Sequence, residues 1–336
     1  MSQRYFLVGG AGFIGSHFTD KLLGMGHAVT LFDNFSSGQE WHYSQHKANP
    51  LLRVERGDVK DLPALTRAMG GHDTVIHLAS NPDIAKAITE PDIDFREGTA
   101  LTQNVVEAMR LSGAKTILYA SGSGVYGDLG LTEAGENHAP LLPISTYGAS
   151  KLAGEALIAS YCYMFDIRGY AFRFGNVVGP RQTHGVGFDF VRRLKEDPSR
   201  LRILGDGTQS KSYISVQDVL AAVLLAPQVC KKAFDFFNVA TGDYITVTEI
   251  AELSLECLKL PKAGTRLEYT GGNRGWKGDV PVVRLSTDKI QALGWKCQRS
   301  SREALRAAMY SMIEELREGS KPQAATPPEV THDYHA

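Results

Sequence analysis

Leu7-Val8-Gly9-Gly10-Ala11-Gly12-Phe13-Ile14-Gly15 is the stretch on which the reading of the chain turns. Before it, the apolar run Tyr5 to Val8 has the length of a buried strand. After it, Phe13, Ile14, Phe18, Leu22 and Leu23 follow a helical period. Gly9, Gly12 and Gly15 join the two at three-residue intervals. Glycines permit a tight turn and close backbone approach, and the first N–H groups of a helix have no partner within it, so a pyrophosphate fits against this helix N-terminus. A glycine triplet alone also serves packing at many strand-to-helix turns. Here a second strand, Ala28 to Phe32, ends in Asp33 about 20 residues downstream, where a carboxylate accepts both hydroxyls of an adenosine ribose. Asn34-Phe35-Ser36-Ser37-Gly38 brings no Arg or Lys for a 2′-phosphate. The pattern points to NAD rather than NADP.

With 336 residues the chain has room for a full doubly wound domain and a smaller companion. Hydrophobic residues make up 43% and the net charge is −1, which suits a soluble globular protein and gives neither nucleic acid nor an anionic membrane a general electrostatic hold. No apolar run approaches transmembrane length, and the chain begins directly with a strand and no secretion signal, so a cytoplasmic location is expected. The four cysteines, Cys162, Cys230, Cys257 and Cys297, are far apart in sequence and read as free thiols. The ten histidines show no ligand spacing, and no metal site is expected.

The β/α alternation continues. Ser36 to Asn49 reads as a loop with a short helix, and Leu51 to Glu55 as a third strand running into Gly57-Asp58-Val59. Asp58 is placed to accept from an adenine amino group, to cap the helix Leu62 to Met69, or both. A fourth strand, Thr74 to Ala79, continues as Ser80-Asn81-Pro82, small residues that suit a cofactor passing close to the backbone. His77 lies in that apolar strand and reads as a packed histidine rather than a base. A helix from Gly98 to Ser112 precedes the fifth strand, Thr116 to Ala120, which opens into Ser121-Gly122-Ser123-Gly124-Val125-Tyr126-Gly127. After a Pro-rich connection, a helix begins with Tyr147-Gly148-Ala149-Ser150-Lys151. Tyr147 and Lys151 are four apart and share a helix face. A phenol with a reference pKa of about 10 is mostly protonated at neutral pH, and an adjacent cation stabilises its phenolate. Tyr147 therefore reads as a general base toward a substrate hydroxyl as hydride leaves the same carbon. Five such repeats specify an α/β, Rossmann-type doubly wound parallel sheet.

In this ordered set of motifs the chain resembles an extended short-chain dehydrogenase/reductase of the NAD-dependent epimerase/dehydratase family, and is similar to its UDP-glucose and UDP-glucuronate 4-epimerases. The likeness also runs through Arg173-Phe174-Gly175-Asn176-Val177-Val178-Gly179-Pro180-Arg181 and Ile203-Leu204-Gly205-Asp206-Gly207-Thr208-Gln209, and spans residues 3 to 310 in all. It implies NAD held by Gly9, Gly12, Phe13, Ile14, Gly15, Asp33, Asn34, Ser37, Gly38, Asp58, Val59, Leu78, Ala79, Ser80, Tyr147 and Lys151. It also implies a nucleotide-diphosphate sugar, a UDP-sugar first, and a 4-epimerase reaction through a transient 4-keto sugar with Tyr147 as acid and base. The alternatives are a 4-dehydrogenase or ketoreductase, and a non-catalytic NAD-binding sensor. The expected organisation is a cofactor domain of residues 1–176 with about 210–242, an interleaved α/β substrate domain of 177–209 and about 243–316, and a flexible tail over 317–336. The resemblance further implies a homodimer built on the helices at Gly98 to Ser112 and Tyr147 to Tyr163.

Several positions depart from the family pattern. Asn176 is expected near the diphosphate, Lys211 stands where an arginine is usual, and Arg274 lies two residues early for the second phosphate contact; as a solvated loop arginine it would have no such role. The family's catalytic Ser/Thr falls on Gly122, leaving Ser123, its neighbour Ser121 or a water to meet the sugar oxygen. The Asp-Glu pair of the 4,6-dehydratases is replaced by Ser123-Gly124, which argues against dehydration.

Overall fold

Residues 2–317 are described by the structure, a computed structural model. Strands β1 (Arg4–Val8), β2 (Ala28–Asp33), β3 (Leu52–Arg56), β4 (Thr74–His77), β5 (Thr116–Gly122) and β6 (Arg168–Phe174) form one sheet with the strand Phe234–Val239. All neighbours are parallel, in the order β3-β2-β1-β4-β5-β6 followed by Phe234–Val239. The order reverses between β1 and β4, which opens a crevice at their carboxyl ends, where open α/β sheets hold their ligands. Val8 stands opposite both Phe32 and His77 in that register.

Period-two alternation makes the two faces apolar in turn. Leu7, Leu31, Ile76, Leu118, Phe172 and Phe237 face the helices α1 (Phe13–Gly24) and α6 (Val216–Val229). Phe6, Val8, Phe32, Val75, Ile117 and Ala171 face α2 (Leu62–Met69), α3 (Ala100–Ser112) and α4 (Thr146–Met164). Each fully buried Leu or Phe contributes about 1.5–3 kcal/mol. β4 is shorter than expected, ending at His77, because the N–H groups of Leu78 and Ala79 both turn to the Val8 carbonyl at 2.9 and 3.0 Å. The chain before α3 makes a π turn, Phe95–Thr99, where a continuous α-helix from Gly98 was expected.

A third core lies between α5 (Val186–Glu196), α7 (Val247–Leu258) and a C-terminal helix, Ser301–Arg317. That last helix was not anticipated, although its signals are local. Ser300 and Glu303 form a capping box, and Ala304, Leu305, Ala308, Met309, Met312 and Ile313 make one buried stripe. Arg317 is its final residue; the rest of the expected tail lies outside the described residues. No helix among the described residues is long and apolar enough to cross a membrane.

Two buried histidines make stability depend on pH. Burial, with Arg181 beside it, pushes His17 down to about 4, and burial, with Lys151 nearby, pushes His77 down to about 3. Folded values below the unfolded one mean that their contribution is complete above about pH 6.5 and is lost as pH falls toward the folded values. Urea unfolding should show a loss on the order of 2 kcal/mol per histidine between pH 7 and pH 5. A flat profile would contradict neutral burial.

Candidate active site

The three glycines of the first loop do different work. A Cβ on Gly9, which has φ +76°, would lie 2.7 Å from the Ala79 nitrogen, and one on Gly15 would lie 2.5 Å from the Gly10 carbonyl oxygen. Both are required by packing. A Cβ on Gly12 would meet only the Gly9 carbonyl oxygen, at 3.4 Å, and Gly12 caps α1 with no side-chain bond. The first turn of α1 is thus open to an anion, the cradle a dinucleotide needs. Gly12→Ala is expected to fold normally and to weaken NAD binding about 100-fold by calorimetry, since the methyl group occupies the pyrophosphate's place. Unchanged affinity would mean that the cofactor lies elsewhere.

At the end of β2, Asp33 is buried. Its Oδ2 accepts from the Ala11 N–H at 2.9 Å and its Oδ1 from the Phe35 N–H at 2.8 Å, which fixes the carboxylate at the end of β2 and leaves acceptor sites over for a ribose. Burial raises its pKa, and the two backbone bonds oppose the rise. Gly38 packs on it, since a Cβ there would lie 2.7 Å from Oδ1. Reading Asn34 to Gly38 alone missed a neighbouring cation: Arg56, in register with Asp33, lays its guanidinium 4.0 Å over the Phe35 ring. Asn34 accepts from the Ser36 N–H at 3.0 Å, and the Ser37 carbonyl accepts from Gln39. Asp58 makes a local turn, accepting from the Lys60 N–H at 2.9 Å. The cap of α2 is Asp61, which accepts from Ala64, so the capping alternative for Asp58 is corrected. Val59 is buried beside it, its carbonyl held by Asn104. Phe13 and Ile14 open α1 half-buried against the sheet core.

Tyr147 lies in the first turn of α4, whose N-cap Ser145 accepts from the Gly148 N–H at 3.1 Å. Burial pushes the phenol up to about 12; a hydrogen bond with the Ser80 side chain holds it down and the charge of Asp94 adds to the rise. Lys151 lies one turn on, buried, with Nζ donating to the Ala120 carbonyl at 2.8 Å and standing 5.4 Å from the Tyr147 ring centroid. Burial pushes it down to about 8, against the pull of Asp94 and Glu155. The expected pair is therefore side by side, with the ammonium bonded to the backbone of β5 rather than to the phenol.

The loop after β5 sorts its serines. Ser121 is buried and donates to Glu155 Oε1 at 2.6 Å. Its hydroxyl belongs to a structural network, which corrects its expected reach toward a sugar. In that network the Arg173 guanidinium, 2% exposed, grips Glu155 at 2.7 and 3.0 Å and donates to the Tyr126 hydroxyl at 2.9 Å, which donates to Asn238. Ser123 is half-buried and lines a small crevice with Tyr126, Thr132 and Arg284. A Cβ on Gly122 would meet nothing within 4 Å.

Of the residues expected at the diphosphate, Asn176 donates from Nδ2 to the Ser212 carbonyl at 3.2 Å. Lys211 and Arg274, separate in sequence, converge on Asp279. Lys211 Nζ lies 2.7 Å from its Oδ1, and Arg274 donates to its carbonyl while its other nitrogen lies 2.6 Å from Asp128. Both cations have acidic partners, so neither is a loosely solvated loop residue. His77 is fully buried, bonded to Thr102 at 3.1 Å and packed on Tyr119, the surroundings of a core histidine. No cluster of metal-ligating side chains occurs among the described residues.

The sequence model of the NAD dependent epimerase/dehydratase family matches residues 5–240. The chain belongs to that family. Among family relatives, a putative UDP-glucose 4-epimerase of Methanocaldococcus jannaschii is 30% identical over 91% of this chain and 97% of its own length. A solved UDP-galactose 4-epimerase is 36% identical with a TM-score of 0.82, covering 93% of this chain and 99% of that one. A UDP-glucose 4-epimerase of Thermus thermophilus, solved as a complex with NAD, is 29% identical with a TM-score of 0.81, covering 92% and 99%. Relatives at similar identity also include a dTDP-glucose 4,6-dehydratase of Streptomyces griseus, 29% identical over 76% of this chain and 79% of its own. The cofactor of this family member is NAD, and the glycine cradle and Asp33 fit it.

Proposed function

We propose that the protein is a nucleotide-sugar 4-epimerase acting on a UDP-hexose. The observation that carries this reading is the Tyr147 phenol bonded to Ser80 in the loop after β4, one residue beyond the Ala79 that packs on Gly9, and one helical turn from Lys151. NAD bound there supplies a reversible hydride acceptor. Tyr147 takes the proton from the sugar hydroxyl and returns it when the 4-keto sugar, turned over in the cleft, is reduced on its opposite face. Lys151 keeps positive charge beside the phenol and holds the cofactor's ribose, which lowers the phenol's pKa toward working pH. Lys211 and Arg274 receive the diphosphate, with Asn176 nearby. Ser123-Gly124 offers no acid and base for eliminating water, which argues against dehydration.

The empty space at Gly122 favours one second reading, a 4-dehydrogenase or ketoreductase that performs the redox half alone. Incubation with NAD and a panel of UDP-, TDP-, GDP- and CDP-sugars separates them. A new sugar of unchanged mass supports epimerisation; loss of two hydrogens with accumulating NADH overturns it. We further infer a cytoplasmic homodimer. α3 and α4 pack together and leave Leu111, Tyr163 and Met164 exposed, with Phe95 exposed just before α3. Sedimentation at twice the monomer mass is the expected result, and a monomer contradicts it.

A further inference from the structure

Asp94 is 1% exposed, and no ion pair reaches it among the described residues. Its Oδ1 accepts from Asn81 Nδ2 at 2.9 Å and its Oδ2 from the Thr146 hydroxyl at 2.7 Å. Asn81 follows Ser80, whose side chain bonds the Tyr147 phenol, and Thr146 precedes Tyr147 itself. Asn81 is fixed in turn by two bonds with the Asp83 backbone, at 2.8 and 3.0 Å. One carboxylate thus ties together the two segments that hold the phenol. It sits immediately before the π turn Phe95–Thr99, the kind of local irregularity that recurs at functional sites.

We propose that Asp94 is a positioning residue for Tyr147, clamping the phenol's helix and its hydrogen-bonding loop together and placing a fixed negative charge beside the reacting proton; this rests on Tyr147 being the acid–base group argued above. Burying a carboxylate is costly, and a neutral amide of the same shape could bridge Asn81 and Thr146, so clamping alone does not call for the charge. Lys151 faces Asp94 as a cation without forming an ion pair with it. Lys151 and Glu155 face the site from α4, but Glu155 is neutralised by Arg173 of β6, while His77 of β4 and Tyr119 of β5 are uncharged. Asp94 raises both the Tyr147 and the Lys151 pKa. It supports the ammonium and makes the phenolate a stronger base once formed.

The test uses the full chain loaded with NAD. The near-ultraviolet phenolate band is titrated with and without the Tyr147→Phe substitution, and the difference isolates this phenol from the other tyrosines. Asp94→Asn is expected to lower the Tyr147 midpoint by about one pH unit and to move the acid limb of turnover by the same amount. An unmoved midpoint overturns the proposal. Should Asp94→Asn not hold NAD, Thr146→Val carries the test. It leaves the charge in place with one donor fewer, so the midpoint must rise, and a midpoint that stays put overturns the role. Because the titration needs no sugar, the two readings fail separately. A phenol that shifts as expected in a protein inert toward every nucleotide sugar sinks the proposed reaction only, whereas an active enzyme with an unmoved midpoint sinks the Asp94 role only.

Discussion

Tyr147→Phe is expected to lower turnover at least 1,000-fold while leaving NAD affinity within a factor of about three, because a positioned general base contributes 10²–10⁴-fold and no other proton acceptor stands in its place. The ring remains to fill its half-buried site, and the cradle at Gly12 and the Asp33 carboxylate are distant in sequence from the change. Ser123 is the nearest rival acceptor in the sequence reading, but an aliphatic hydroxyl is a far weaker acid than a phenol and does not act as a base without an adjacent one to activate it. Steady-state rates and calorimetric NAD binding measured on one preparation decide the point. Residual activity above one tenth of wild type would remove Tyr147 from the reaction.

The largest effect on stability is expected from Arg173→Met. Arg173 and Glu155 form a bidentate pair with almost no exposure, and removing the cation leaves a carboxylate buried beside Ser121 with its charge uncompensated. Breaking one side of such a pair costs about 3–5 kcal/mol. The double replacement Arg173→Met with Glu155→Leu should recover much of the loss, since a buried ion pair is often no more stable than apolar residues of similar volume. Urea unfolding of the two variants measures both. A single-variant loss below about 1 kcal/mol would mean that the pair is more hydrated than its burial indicates. The same substitution takes the Arg173 donor from the Tyr126 hydroxyl and leaves Ser121 bonded to an unpaired carboxylate, so turnover should fall as well through a loosened loop between β5 and α4.

Much of this fold is written locally. The strand-glycine-helix opening, the apolar runs of β2, β4 and β5, and the full span of α2 follow from period and punctuation, and the parallel sheet follows from β/α alternation. Tyr147 and Lys151 were legible for the same reason, because their relation is a spacing of four on one helix. What could not be read depends on contacts between distant segments. The pairing of Arg173 with Glu155, of Lys211 with Asp279 and of Arg274 with Asp128 joins residues that no local pattern relates. Asp94 gave no signal because an acidic residue in a polar stretch reads as surface until the fold buries it. Ser121 stood with Ser123 as a candidate for the sugar oxygen because a loop serine has no sequence mark to show which way its hydroxyl turns. The C-terminal helix is a different case, since its capping box and apolar stripe were present and unread.

In the proposed reaction one site takes hydride from C4 and a proton from its hydroxyl, then returns the hydride to the opposite face of C4 and the proton to the oxygen. The most direct test is to run the reaction in deuterium oxide on the UDP-hexose that the panel identifies, and to examine C4 of the product by proton NMR and mass. Epimerisation through a hydride held within the site predicts an inverted C4 that keeps its original hydrogen, with no deuterium on carbon and, once the product is returned to ordinary water, no change in mass. Deuterium on carbon, or a product two hydrogens lighter, would contradict the account.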